Sequence, residues 1–62
     1  MLKKVLIIRF SSFGDIVQAM GVVAPLKEQN PGVQIDWLTK NQFLELVSLD
    51  ENITNVYAPA ET

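Results

Sequence analysis

Val5-Leu6-Ile7-Ile8-Arg9-Phe10-Ser11-Ser12-Phe13-Gly14-Asp15-Ile16-Val17 is the stretch whose reading decides the fold. Residues 5–8 are continuously apolar and rich in β-branched side chains, the pattern of a strand covered on both faces. Residues 10–14 break that run with small, turn-forming residues. From Asp15 onward the apolar period changes. Ile16, Ala19/Met20, Val23 and Leu26 recur three or four apart and form one helix face. Asp15 is a good N-cap for that helix, and Asn30-Pro31-Gly32 closes it near residue 29. Gly21 and Pro25 disturb its interior: glycine costs about 1 kcal/mol relative to alanine. Pro25 lacks the N–H that would bond the Gly21 carbonyl, so a kink or early end is expected there.

Downstream, Val33, Ile35 and Trp37 alternate with Gln34 and Asp36, the signature of a half-buried strand with one wetter face. Thr39-Lys40 turns the chain. Asn41 can cap a short helix carrying Phe43, Leu44 and Val47 on one side, and residues 53–58 read as a third strand. The order strand, helix, strand, helix, strand predicts an α/β fold: a three-stranded parallel βαβαβ sheet with right-handed crossovers, half of a doubly wound, Rossmann-like domain. With strand order 3-2-1 the first strand lies in the middle of such a sheet and pairs with a fourth strand. None follows here, so an apolar edge is expected to be left open. It would pair either with more of a longer polypeptide or with a second copy of the chain.

Composition narrows the function. The 62 residues are 48% hydrophobic and 19% charged, which excludes intrinsic disorder and leaves room for one small domain. The chain has no Cys and no His, which rules out disulfides and a Cys/His zinc site, and its carboxylates are scattered. No metal or cofactor is expected. A net charge of −2 and a pI of about 4.7 give no electrostatic footprint for nucleic acid. The longest run free of both charged and amide side chains, residues 19–26, has 8 residues, against the roughly 20 needed to span a bilayer. The opening residues lack the long apolar core and cleavage site of an export signal, so the cytoplasm is the expected compartment.

In open α/β sheets ligands bind at the carboxyl ends of the strands, which makes residues 9–15 the candidate site. Gly14 permits a tight approach or a positive φ. Ser11 and Ser12 bring hydroxyls, and the helix start brings free N–H groups and a partial positive charge that suit a phosphate or a sugar hydroxyl. The three-glycine dinucleotide fingerprint, the Walker loop and the nucleophile elbow are all absent. Asp15 is either a plain N-cap or a carboxylate acting as general base. Arg9 solvates the strand end, or pairs with Asp15 or an anion. Trp37 and Phe43 suit a core better than a sugar-stacking platform.

The same residues closely resemble the N-terminus of the ADP-heptose:lipopolysaccharide heptosyltransferases, glycosyltransferase family nine. These begin with an apolar strand, then Arg, a Ser-Ser-x-Gly-Asp turn and a helix. The similarity continues through Leu26-Lys27-Glu28, Asn30-Pro31, the second strand and the short helix near Phe43 to Leu46. The Arg-x-Ser-Ser-x-Gly-Asp string is its specific part, and the rest is a general α/β pattern. The chain departs from the family in having Gly21 where proline is common and Pro25 where it is not. The resemblance implies a GT-B fold, in which residues 1–62 are a partial N-terminal, acceptor-side domain and the C-terminal donor domain is absent. It further implies an inverting transfer of heptose from ADP-heptose to a lipid-linked saccharide acceptor of the lipopolysaccharide core, at the inner face of the membrane. Asp15 is then the general base, while Arg9, Ser11, Ser12 and Gly14 hold the acceptor. Transfer belongs to the longer parent, since the donor half is missing. The alternatives are a non-catalytic Rossmann-like module that captures an anion or nucleotide, and a structural oligomer without ligand.

Overall fold

The structure, a computed structural model, describes residues 3–59. Three strands, β1 (Lys4–Ile8), β2 (Gln34–Leu38) and β3 (Asn55–Tyr57), form one parallel sheet in the order β1-β2-β3. Between β1 and β2 run α1 (Phe13–Met20) and α2 (Val23–Gln29), and a 3-10 turn at Asn41–Phe43 leads into α3 (Leu44–Ser48) before β3. The chain is therefore a small parallel α/β domain, as its period changes predict. The third strand is shorter than expected, and Val33 lies just outside β2, although it is buried.

Alternation along the strands sorts the sheet into two unlike faces. Val5 pairs with Ile35 in register, and Ile7 with Trp37, which in turn faces Val56. These residues meet Ile16 of α1, Val23 of α2 and Val47 of α3 in a single core. Ile16, Val23, Ile35, Trp37 and Val47 are fully enclosed. All three helices thus cover one side of the sheet, the geometry that two successive crossovers of the same hand produce. The other side carries, in successive rows from the amino end, Lys4 beside Gln34, then Leu6 beside Asp36 and Asn55, then Ile8 beside Leu38 and Tyr57. Leu6 and Ile8 each remain 56% exposed. The expectation that β1 is covered on both faces is thus met on one face only, because no helix among the described residues reaches the second.

Asp36 was expected on the wetter face, yet it is nearly buried. Gln34 Nε2 donates to both its oxygens at 3.2 Å, and Asn55 Nδ2 donates to Oδ1 at 3.0 Å. The Lys4 ammonium lies 3.9 Å from Oδ2. A carboxylate can leave water when donors of this kind replace its hydration. The core itself is less well satisfied, since Trp37 Nε1 and the Thr39 hydroxyl are buried with no hydrogen-bond partner among the described residues.

The single helix expected over residues 15–29 is two helices that begin earlier. Gly21 N–H donates to the Gln18 carbonyl and Val22 N–H to the Ala19 carbonyl, so α1 ends in a tightened turn. The next helix opens with Leu26 N–H bonding the Val22 carbonyl at 3.0 Å. Pro25 then lies in the first turn of α2, where a missing N–H removes no helical bond. The proline dictates the break, and Gly21, the C-cap of α1, lies at its start.

Trp37 is the largest side chain enclosed in the core. A domain of this length commands only about 3–9 kcal/mol of stability, and truncating a buried aromatic costs about 3–5 kcal/mol. Trp37→Ala is expected to lower stability by about 3–5 kcal/mol, read by far-UV circular dichroism as a large drop in the melting midpoint or outright unfolding at 25 °C. Trp37→Phe should stay folded, with a lowered melting temperature, and the wild type should show blue-shifted tryptophan emission.

Candidate functional site

The site expected over residues 9–15 lies where β1 ends and α1 begins. Arg9 N–H donates to the Leu38 carbonyl at 3.0 Å and carries the parallel ladder one residue past β1. The chain then leaves the sheet, and all residues from Arg9 to Asp15 are exposed. The Ser11–Ser12 peptide bond is cis. Ser12, in an extended conformation with φ −90° and ψ −179°, is the N-cap of α1, and its carbonyl accepts the first helical bond from Ile16 N–H at 2.9 Å.

The cap is therefore Ser12, and Asp15 is not the N-cap. Asp15 sits three residues further on, inside the first turn, as the acidic member of a capping box. The Ser12 N–H and the Ser12 hydroxyl both donate to Asp15 Oδ2, each at 3.3 Å. These are long bonds for their kinds, and both fall on one oxygen. Oδ1 accepts no bond from any described residue. The Ser-x-x-Asp spacing announces this box, but Ser and Asp are both common caps, and only the backbone decides between them.

The remaining predicted residues have distinct fates. Ser11 is exposed, and its hydroxyl bonds no described residue. Arg9 forms no ion pair with Asp15, since the one ion pair among the described residues is Lys4–Asp36. Gly14 does not use its conformational freedom: it is helical, and among the described residues positive φ occurs only at Gly32. A Cβ built at Gly14 would meet nothing within 4 Å, so what the glycine preserves is clearance over the helix start. Trp37 belongs to the core, and Phe43 packs against it.

Two aromatics in this turn have no place among the expected site residues. Phe10 is 39% and Phe13 60% exposed, so they bracket the serines with apolar surface instead of joining the core. A Phe-x-x-Phe pair interrupting neither strand nor helix period is the signal for them. An open concavity of about 610 Å³ lies along α3, lined by Leu44, Glu45, Leu46, Ser48 and Leu49, and Asp15 is not part of its lining.

Chemically, the turn presents a free carboxylate oxygen, a free hydroxyl, a guanidinium and a cleared helix start on one exposed segment. Among the described residues no group of three His, Cys, Asp or Glu is arranged to hold a metal ion, and no helix is long and apolar enough to cross a membrane. Fold and site together define a small parallel α/β domain with an exposed polar turn after its first strand. No protein-family model matches the chain, and comparison with curated proteins and with solved structures finds no match either.

Open space at Gly14 separates folding from ligand access. Gly14→Ala is expected to raise stability by up to about 1 kcal/mol, because alanine suits a helix better and the backbone here is compatible. Thermal melts of the two chains measure this. A clear loss of stability would show that the position is tighter than its geometry indicates.

Proposed function

We propose that the chain is the acceptor-side, N-terminal part of an inverting GT-B glycosyltransferase that moves heptose from ADP-heptose to a lipid-linked saccharide of the lipopolysaccharide core. Asp15 is its general base. One observation carries the reading: Asp15 stands exposed just beyond the carboxyl end of β1, tethered by one oxygen and free at the other. The parallel β1-β2-β3 order is compatible with half of a Rossmann-like domain.

In this mechanism Oδ1 takes the proton of the acceptor hydroxyl as that oxygen attacks the anomeric carbon of the donor. The new carbon–oxygen bond forms on the face opposite the bond to phosphate, which breaks, and ADP departs with its electron pair. An unaided sugar alcohol is a poor nucleophile, and a positioned carboxylate contributes typically 10²–10⁴-fold. Ser11, Ser12, Arg9 and the clearance above Gly14 orient the acceptor, while Phe10 and Phe13 offer it apolar contact. The nucleotide sugar is held by a donor domain outside this chain, so the 62 residues by themselves are inactive. The enzyme works in the cytoplasm, peripheral to the inner membrane face, and takes no nucleic acid partner.

The competing reading, a module that captures an anion or nucleotide at the start of α1, is disfavoured by Asp15 itself. Its carboxylate already accepts the Ser12 N–H and sets a negative charge where the anion would bind.

In the full-length transferase, Asp15→Asn is expected to lower kcat at least about 100-fold, with an unchanged circular dichroism spectrum and donor affinity. Wild-type turnover in that variant would remove Asp15 from the chemistry. Titration of the isolated chain with phosphate or ADP should give no saturable binding below millimolar concentration, and tight binding would favour the anion module.

A further inference from the structure

Along β1 the backbone phase is set by its bonds to β2. Gln34 N–H donates to the Lys3 carbonyl and Arg9 N–H to the Leu38 carbonyl. In a parallel ladder every second residue turns both of its polar groups to the same neighbour. Residues 3, 5, 7 and 9 therefore face β2, and the N–H and C=O groups of Lys4, Leu6 and Ile8 point away from it, along an edge that no described strand occupies. The strand has five residues, and the middle one, Leu6, points outward with both groups. No proline or bulge interrupts it, and its single charge, Lys4, stands at one end.

We propose that this edge is a self-association surface, on which β1 of a second copy pairs antiparallel to β1 about a two-fold axis through Leu6. The pattern is complementary to itself. Leu6 meets Leu6 of the second copy, and Lys4 meets Ile8 in both directions. These three hydrogen-bonded pairs together make about six backbone bonds. On the helix-covered side, Val5 faces Ile7 of the second copy, so the two half-buried residues extend the core across the axis. β-Branched pairs of this kind are favourable neighbours. The two Lys4 ammoniums are kept at opposite ends. Lys3 and Arg9 of the two copies meet just outside the paired segment, and their like charges limit its length to the strand itself. The product is a six-stranded sheet with neither β1 edge exposed.

The proposal concerns residues 1–62 taken by themselves: in the longer polypeptide of the transferase reading a fourth strand would occupy the same edge, so the two readings exclude each other at β1, while a failure of the self-association leaves the role of Asp15 untouched.

Because the chain has no cysteine, single introduced cysteines report the register. Hydrogen-bonded antiparallel partners have Cα atoms about 5.5 Å apart, within disulfide range. Leu6→Cys should therefore give a covalent dimer on mild oxidation. Lys4→Cys and Ile8→Cys should each cross-link poorly alone, and an equimolar mixture of the two should form the heterodimer. Sedimentation of the unmodified chain should show dimer growing with concentration. Leu6→Lys, which opposes two charges on the axis, should stay monomeric with an unchanged circular dichroism spectrum. A wild-type chain that remains monomeric to hundreds of micromolar overturns the proposal. So does cross-linking at Leu6→Cys no faster than at Ile8→Cys alone.

Discussion

Everything in this domain rests on one side of one strand. Ile35 and Trp37 project from the central strand into a core closed by Ile16, Val23 and Val47, one residue from each helix. Two crossovers of the same hand bring those helices to the same side, and that constraint sets the rest of the architecture. The sheet has a dry face and an open one, β1 is an edge, and the turn leaving β1 stands clear of the packed interior. An exposed chemical turn is the natural outcome, since residues 9–15 are anchored by the Arg9 bond to Leu38 at one end and by Ile16 at the other. No neighbouring element walls them in.

Much of this was legible from residue periods. The change from continuous apolar residues at 5–8 to three-and-four spacing after Asp15 marks a strand entering a helix. The alternation of Val33, Ile35 and Trp37 marks the half-buried strand and names the residues at its core. The details that escaped were decided by backbone hydrogen bonding. Ser12 and Asp15 are both chemically suited to cap a helix, and the extended conformation of Ser12 settles which one does. The helix break follows from Pro25, but its position at residues 21 and 22 depends on where the carbonyl ladder tightens. The apolar run of β1 implies two covered faces, and only one has its cover within these residues.

The candidate site was legible as a segment and much less so as an arrangement. Arg9, Ser11, Ser12, Gly14 and Asp15 do share one exposed turn. Their mutual geometry could not be read from spacing, because a turn without regular structure has no period. Thus Arg9 and Asp15 remain unpaired, Gly14 keeps space open instead of adopting a left-handed backbone, and the Asp15 oxygens divide their duties. Oδ2 helps to hold the helix start, and Oδ1 is left for solvent or a ligand. Phe10 and Phe13 escaped notice because exposed aromatics look like core residues until the packing is known.

The Asp36 cluster has a consequence for how the smallest strand finds its place. A three-residue strand has little apolar pattern with which to resist sliding, and Val56 is its one inward side chain. Across from it, however, Asn55 is directly opposite Asp36 and donates to it, while Thr54 and Ile35 exchange bonds just behind. A shift by one residue would strand a dehydrated carboxylate at the same moment that it turned Val56 to water. The polar side of the sheet therefore works as a latch, and it guards the threading of the final strand from the side that the core cannot reach.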